Sequence, residues 1–192
     1  TDKLVEIYKN KKMYKFLHIP IQSASNKILK NMNRFYTIEQ AEQIIKKFKQ
    51  EFPDITIATD MIIGYPTETK KDFQKSLDFI KKHRPDVFNL SKMSIHKGTP
   101  AEKLKPLLIS IINKRTTKMM KAHQKTAREN KQKFLNKTTK VFVNKKLPNN
   151  LYEARDKNYN IILVNSDDKI LGKNIEVRIK QIGIHHMIGE II

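Results

Sequence analysis

The sequence predicts an α/β domain followed by a small all-β barrel, and three observations indicate this fold class. Apolar runs alternate with amphipathic helical segments over residues 1–136, an order typical of parallel βα units with right-handed crossovers. Five short strand-like runs then fill residues 137–192, as in a five-stranded barrel. Three βα units seldom close a barrel alone, so we expect the first domain to be part of a larger (β/α) barrel or an open sheet.

The first βα units follow from apolar spacing and helix caps. The first dozen residues indicate a helix, and the nearly continuous apolar run from Lys15 to Ile21 predicts a buried parallel strand. A short helix follows from about Ser25 to Met32. Thr37 then caps a stronger helix, which ends before Pro53.

The segment TIATDMIIGYPTETKKDF, from Thr56 to Phe73, predicts a strand, a tight turn and the start of a helix. Thr69 and Asp72 have the spacing of a capping box, with Asp in place of the preferred Glu. A third strand is predicted from Val87 to Met93. A loop rich in Gly and Pro follows it, and then a long basic helix from Leu107 to Leu135.

The barrel strands are predicted from five runs that follow a domain boundary at about Asn136. Turn residues separate the runs, which are TKVFVNKKL, LYEARD, YNIILVNS, KNIEVRIKQIG and HHMIGEII. His185 and His186 could form a metal pair, but a turn between the last two strands is the favoured interpretation. No metal site is predicted.

The charge is strongly positive and unevenly spread. The chain has a formal net charge of +20, and the stretch from Lys103 to Lys146 holds 14 Lys or Arg and one acid, so 14 − 1 = +13. Such a density suits a polyphosphate partner. The alternative is an ordinary solvated surface in a lysine-rich protein.

Two absences in the sequence limit the function classes. There is no cysteine, which excludes disulfides and any iron–sulfur cluster or thiolate zinc site held by this chain alone. No apolar run approaches the length of a membrane helix, and the polar start does not resemble a signal peptide. We therefore expect a protein of the cytoplasm with no membrane partner.

Polar residues follow the carboxyl ends of two predicted strands, where parallel sheets meet their ligands. Gln22 and Ser23 follow the first strand, and Asp60, Gly64 and Glu68 surround the end of the second. These residues could bind a ligand, with Gly64 allowing close backbone approach. Alternatively they order strand-to-helix loops, with Asp60 accepting loop N–H groups and Glu68 favouring the next helix. His18 is predicted to be a hydrogen-bonded core residue.

The predicted barrel carries candidate contacts to RNA. Basic side chains are candidates for phosphate contacts, and two tyrosines are candidates for stacking on bases. These residues are Lys145, Lys146, Arg155, Lys157, Arg178 and Lys180, with Tyr152 and Tyr159. Barrel surfaces are commonly charged, so each residue alone is a weak indication.

Four ordered motifs together resemble one family. FLHIPIQSAS, MNRFYT, TIATDMIIGYPTET-KKDF and KGTPA resemble the carboxyl-terminal half of radical S-adenosylmethionine methylthiotransferases. The five-strand tail resembles the TRAM RNA-binding domain of those enzymes. Among the branches, the chain looks most like the archaeal and eukaryotic enzymes that convert N6-threonylcarbamoyladenosine in tRNA to its 2-methylthio form.

The resemblance implies a partial radical SAM (β/α) barrel that binds S-adenosylmethionine, and tRNA as the partner. Gln22, Ser23, Asp60, Gly64 and Glu68 would line the cofactor side. The family's R-x-Y motif matches Arg34 and Tyr36, which would lie near the mouth of the site and contact substrate. The chain departs from the family at Ala24, Thr67 and His96-Lys97, where the family has Gly, Gly and Arg-Pro.

Two [4Fe–4S] clusters are implied for the complete enzyme, and this chain ligates neither. We expect the cluster cysteines upstream of Thr1, no catalytic residue within the chain, and little or no activity from the chain alone. Two other functions stay open at this point. One is a ribosomal-protein methylthiotransferase of the same architecture, and the other is a free-standing RNA-binding protein on a degenerate half-barrel. The oligomeric state is not readable.

Overall fold

The fold is described by a computed structural model for residues 2–192. In chain order its elements are α1 (Asp2–Lys9), β1 (Phe16–His18), α2 (Asn26–Asn31), α3 (Ile38–Glu51), β2 (Thr56–Ile63), α4 (Lys70–His83), β3 (Val87–Lys92), α5 (Ile109–Gln132), β4 (Thr138–Lys146), β5 (Leu151–Arg155), β6 (Ile161–Asn165), β7 (Asn174–Ile182) and β8 (Met187–Ile191). A single 3-10 turn, Pro100–Lys103, lies in the loop before α5.

The chain divides into two compact units. Residues 18–50 and 57–126 form the sheet unit, and residues 2–17, 51–56 and 127–192 form the barrel unit. The domain boundary predicted from the sequence at Asn136 stays a prediction. None of the helices in the described part of the chain is long and apolar enough to cross a membrane.

The sheet unit is built on parallel strands with helices packed on one face. Strand order is β1-β2-β3, and β2 pairs with β3 from Ala58↔Val87 to Ile63↔Lys92. The core combines buried strand residues with apolar helix residues, among them Ile45, Met61, Ile63, Phe73, Leu77, Ile80, Phe88 and Met119. Because side chains alternate along a strand, the residues between these buried positions, Asp60 and Asn89 among them, point to the opposite face.

Helix α4 is capped at both ends, and its N-terminal cap fixes the loop that joins it to β2. The Thr69 side chain accepts a hydrogen bond from the Asp72 N–H at 3.2 Å, and the Asp72 carboxylate accepts one from the Thr69 N–H at 3.0 Å. The predicted capping box is therefore confirmed. At the other end, Arg84 adopts a left-handed conformation (φ 50°) and its N–H donates to the Ile80 carbonyl.

The barrel unit is a closed five-stranded barrel with strand order β4-β5-β6-β8-β7. Its interior is apolar and includes Val141, Val143, Ala154, Ile162, Val164, Val177 and Ile179. Asn149 and Asn150, predicted as a turn, both have positive φ (58° and 56°) and join β4 to β5, as Asn does in tight hairpins. The predicted fold class, an α/β sheet followed by a five-stranded barrel, is confirmed.

Candidate functional site

Three side chains form a polar row across β1, β2 and β3 on the sheet face opposite the helices. The Asp60 carboxylate accepts a hydrogen bond from the Asn89 amide at 2.8 Å, and its Oδ1 lies 3.0 Å from His18 Nε2. The side chains of His18 and Asp60 are 43% and 28% exposed. The row therefore presents a carboxylate to solvent with its neighbours fixed.

His18 was predicted to be a core histidine, and that prediction is wrong in one respect. The ring is hydrogen-bonded, as expected, but it is exposed. The strand is buried on the helix side, where Leu17 is 5% exposed, and His18 points the other way. Asn89, the third member of the row, was not identified from the sequence.

Gln22 lies four residues beyond the end of β1, in a left-handed backbone conformation with φ 64°. Two backbone hydrogen bonds hold it there: its N–H donates to the Asp60 carbonyl at 2.8 Å, and its carbonyl accepts from the Ile62 N–H at 2.9 Å. A non-glycine residue in this conformation costs on the order of 1–3 kcal/mol, and such residues cluster at functional sites. Gln22 is half-buried, so its amide can still reach a ligand.

Ser23 has a different environment from Gln22. Its side chain is buried, at 1% exposure, and its Oγ accepts a hydrogen bond from the Ser25 N–H at 3.2 Å. Ser25 in turn donates from its hydroxyl to the Asp72 carboxylate at 2.7 Å. Ser23 and Ser25 therefore order the loop before α2, which corresponds to the structural alternative left open by the sequence.

Asp72 receives hydrogen bonds from two elements. Burial by itself would raise the pKa of its carboxyl, but hydrogen bonds from Thr69 and Ser25 outweigh burial and lower the pKa to about 2. The carboxylate thus links the α4 N-terminus to the loop after β1. This tie keeps the carboxyl ends of β1 and β2 in fixed relation.

Gly64 is favoured by its backbone angle, and a side chain of α5 packs close beside it. Its φ is +91°, and a Cβ built on it would lie 2.8 Å from Ile112 Cδ1. The space beside Gly64 is therefore filled by a side chain of α5. The sequence interpretation assigned that space to a ligand, and it could not see Ile112, which lies 48 residues later.

The side chain of Glu68 is buried. Its side chain is 1% exposed, and Oε2 lies 2.5 Å from Nη1 of Arg115, which also donates to the Glu68 carbonyl at 3.1 Å. Oε2 accepts the Gly64 N–H at 3.2 Å as well. Burial raises the pKa of Glu68, and the Arg115 guanidinium opposes that rise. The carboxylate is therefore turned away from a ligand and fastens the turn to α5. The alternative, that Glu68 favours the positive end of α4, stays a prediction.

Arg34 lines a cleft of about 650 Å³ at the carboxyl ends of β2 and β3. The cleft is also lined by residues that follow those strands, including Tyr65, Met93, Ser94 and His96. Tyr36 has a structural contact instead, since its hydroxyl lies 3.0 Å from the carbonyls of both Pro20 and Ile21. Burial raises its pKa.

Phe35 is an exposed residue that the sequence interpretation did not single out. It stands between Arg34 and Tyr36 and is 93% exposed. A single exposed apolar side chain is common on protein surfaces, so its exposure alone assigns Phe35 no role. The exposed position of Phe35 could not be read from the motif, because an apolar residue beside a helix is ordinarily assigned to the core.

The basic residues predicted in the barrel lie in two places rather than one. Arg178 is opposite Thr138, the first residue of β4, whereas Lys145 and Lys146 end that strand. At about 3.3 Å per residue, roughly 23–26 Å of strand separates the two places. Lys180 is exposed and paired with Glu190 at 2.8 Å, a surface ion pair that constrains it little.

Arg155 and the two tyrosines also differ in exposure. Tyr152 is 2% exposed and its hydroxyl donates to the Asp168 carbonyl, so its predicted stacking role is wrong. Alternation along β5 turns it inward with Ala154. Arg155 lies 4.3 Å from the Tyr159 ring centroid and 2.8 Å from a Glu153 oxygen. Tyr159 is 37% exposed.

The described residues 2–192 contain no group of three or more His, Asp or Glu side chains placed to hold a metal ion. The chain has no cysteine. Neither the row His18–Asp60–Asn89 nor the cleft at Arg34 offers thiolate ligands.

Comparison with known proteins matches the chain to one superfamily and one group of relatives. Residues 1–80 match the Radical SAM superfamily. The probable threonylcarbamoyladenosine tRNA methylthiotransferases of Archaeoglobus fulgidus and Pyrococcus horikoshii are each 37% identical, over 99% and 100% of this chain and 44% of their own length. A tRNA-2-methylthio-N(6)-dimethylallyladenosine synthase of Thermosipho melanesiensis is 34% identical over 97% of this chain and 44% of its own.

The chain therefore spans less than half the length of these relatives. The similarity covers both the sheet unit and the barrel unit. The family resemblance that the four motifs indicated is confirmed.

Proposed function

We propose that this chain, which is related along its whole length to tRNA methylthiotransferases of the radical SAM superfamily, supplies such an enzyme with cofactor contacts and a grip on tRNA. The observation that carries this proposal is the 37% identity over 99% of the chain. The complete enzyme would add a methylthio group to N6-threonylcarbamoyladenosine in tRNA. A tRNA substrate implies the cytoplasm as the place of action.

The polar row of the sheet fits one end of S-adenosylmethionine. That molecule carries an ammonium group and ribose hydroxyls. A carboxylate can accept hydrogen bonds from both, and a carboxamide can accept from or donate to the hydroxyls. Asp60 is partly exposed and already oriented by Asn89 and His18, and Gln22 adjoins it through a backbone hydrogen bond. We assign the contacts to Asp60 and Gln22 and leave the buried Ser23 and Glu68 to structural roles.

When bound, S-adenosylmethionine together with an iron–sulfur cluster supplies the radical chemistry of this superfamily. The residues of this chain do not fit a cluster, because the chain has no cysteine and the described residues contain no group of other metal-ligating side chains. Cluster ligands are therefore assigned to residues outside this sequence. The role proposed for this chain is to bind and orient.

The basic surfaces support an RNA substrate over a protein substrate. Exposed basic residues lie at the two ends of β4, and exposed lysines such as Lys114 and Lys118 lie on α5. Each group by itself suits contacts to RNA phosphates. The methylthiotransferases named above act on tRNA according to their names. The ribosomal-protein alternative has no such observation in its favour.

The modification is tested by nucleoside mass spectrometry of tRNA from a strain lacking the gene for the complete enzyme. We expect loss of the 2-methylthio form of N6-threonylcarbamoyladenosine and accumulation of its unmodified precursor. Loss of a methylthio group from dimethylallyladenosine would reassign the substrate to the chemistry of the Thermosipho relative. Unchanged tRNA together with a ribosomal protein that has lost a methylthio group would overturn the proposal.

The tRNA contact is tested by titrating tRNA into the chain at several salt concentrations. Each lost phosphate contact lowers the slope of log K against log[salt] by about 0.9. Replacing Lys145 and Lys146 with Gln should reduce the slope by about 1.8, whereas the same change at Lys70 and Lys71, exposed on α4, should leave it unchanged. An affinity that does not vary with salt would show that the phosphate grip is absent.

A further inference from the structure

A groove in the barrel unit lies between the turn that follows α1 and the outer surface of the barrel. Its volume is about 350 Å³, at the lower end of the range for sites that hold one small ligand. One side is formed by residues 11–14 and the other by exposed positions of β4, the β5 end and the start of β7, including Lys140, Phe142 and Asn174.

The turn that forms one wall of the groove is held in place by Lys15. Its ammonium donates to the carbonyls of Tyr8, Asn10 and Met13, so it closes the end of α1 with a cation, as helix C-termini favour. The backbone N–H of Lys15 also donates to the Lys157 carbonyl at 2.9 Å. The wall is therefore tied to the loop after β5, and the spacing of the two sides is fixed.

The accessible charge of the groove is positive. Lys11, Lys12, Lys140 and Lys157 are all exposed, and only Lys140 has an ion-pair partner among the described residues, with Glu176 at 3.5 Å. The acid in the lining, Asp156, is 2% exposed.

The carboxylate of Asp156 does not neutralise the charge of those lysines. Its oxygens accept the N–H groups of Asn158 and Asn160 and the Asn160 amide. Burial raises its pKa, and those hydrogen bonds oppose the rise. The Asp156 carboxylate therefore makes its hydrogen bonds within its own loop.

Two aromatic rings stand open beside these cations. Tyr14 is 39% exposed and Phe142 is 38% exposed. Tyr159 packs edge-on against Tyr14, with ring centroids 4.9 Å apart, and this contact supports the Tyr14 ring. Phe142 points outward from β4 between the buried Val141 and Val143, so its ring does not pack in the barrel interior.

We propose that this groove binds an unpaired nucleotide of RNA, with its base against Tyr14 or Phe142 and the flanking phosphates at Lys11, Lys12, Lys140 and Lys157. Open aromatic rings among cations are the arrangement that single-stranded nucleic acid requires, because every base has a face that stacks and every linkage carries a charge. An acidic peptide would satisfy the lysines but would leave the rings without a stacking partner. The proposal rests on the tRNA role above and specifies where a single-stranded part of that RNA is held.

The experiment is a fluorescence-anisotropy titration of the whole chain with a labelled single-stranded heptaribonucleotide and, separately, with tRNA. Replacing the ring on which the base stacks, by Phe142→Leu or by Tyr14→Leu, should weaken binding of the heptaribonucleotide about tenfold with no change in the salt slope, because stacking of one base is worth about that much. Tyr14→Leu is the second variant, so a folding failure of one leaves the other informative. Thermal unfolding of each variant reports on folding.

The charge arm of the test uses Lys140→Gln with Lys157→Gln, and Lys70→Gln with Lys71→Gln as the matched control. The groove pair should reduce the salt slope for the heptaribonucleotide by about 1.4, at about 0.7 for each phosphate on a single strand. The control pair should leave that slope unchanged. Each result is compared with a poly-glutamate peptide of equal charge.

The outcomes separate this inference from the proposed function. Binding of tRNA that is retained in full by both aromatic variants and by the groove lysine pair would overturn the groove while leaving the tRNA role intact. Failure of the unaltered chain to bind any RNA would overturn both. Poly-glutamate that binds as tightly as the heptaribonucleotide, and equally in Phe142→Leu, would make the groove a site for acidic peptides and refute the nucleotide assignment.

Discussion

The ion pair between Glu68 and Arg115 should be the most sensitive electrostatic contact in the sheet unit. Arg115→Met removes the guanidinium whose Nη1 lies 2.5 Å from Glu68 Oε2, and it leaves a carboxylate that is 1% exposed. Breaking one half of a buried pair costs about 3–5 kcal/mol, because the remaining charge is desolvated and uncompensated. Against a typical total stability of about 5–15 kcal/mol, this is a large part of what holds the fold together.

The pH dependence of the free energy of unfolding tests whether the uncompensated charge of Glu68 causes this loss. Burial raises the pKa of Glu68, and Arg115 is what opposes that rise. Without Arg115 the folded-state pKa moves further above the unfolded value, so the folded state binds a proton more readily than the unfolded state does. The free energy of unfolding of Arg115→Met should therefore recover relative to the parent protein as pH falls from 7 toward 5.

Urea denaturation of Arg115→Met and the parent chain at pH 7 and pH 5 measures both effects. Lys114→Met, one residue earlier on the exposed side of α5, is the matched control and should stay within about 0.5 kcal/mol of the parent. A deficit of less than about 1 kcal/mol at pH 7, or one that is the same at both pH values, would refute the reasoning.

Three further predictions concern the loops around the site. Gly64→Ala should destabilise by about 2 kcal/mol or more in urea denaturation, because alanine disfavours φ +91° and its Cβ would meet Ile112; an unchanged midpoint would contradict this. Asp72→Asn should cost about 2 kcal/mol above pH 4, and the difference from the parent should vanish as pH falls through the folded pKa of about 2; a difference that persists at pH 2 would contradict it. Phe35→Ala should leave the thermal midpoint unchanged, since the ring is 93% exposed, while weakening tRNA binding; equal loss of both would instead indicate a packing role.

The elements were predictable because their signals are local. Helix spacing, the capping pair Thr69 and Asp72, and the turn residues Asn149 and Asn150 each act within a few residues, so the sequence shows both the cause and the effect. The same holds for the edge of the sheet. Gln22 lies beyond the first strand and Asp60 lies within the second, both strands that the apolar pattern marks, and the structure joins them through a backbone hydrogen bond.

The errors have a common physical origin in contacts between distant segments. The sequence suggests that Glu68 contacts a ligand, because its actual partner, Arg115, is 47 residues away. Gly64 appears to make room for a ligand, yet Ile112 of α5 fills that room. Tyr152 is different, because strict alternation with Ala154 places both on the inner face of β5, so its burial could have been read from the sequence.

The two faces of the sheet explain why the candidate site lies where it does. Parallel sheets are ordinarily covered on both faces, and here the apolar residues of β2 and β3 are covered on one face by helix residues such as Phe73, Leu77 and Met119. The other face carries a carboxylate, an amide and an imidazole in hydrogen-bonded contact, which makes a poor surface for apolar packing, since each polar group would need a partner there. The same three groups are already oriented without being buried. Gln22 beside them holds a strained backbone that two hydrogen bonds to β2 support. Polar groups fixed on the open face of parallel strands, with strain stored next to them, favour binding over packing as the use of this face.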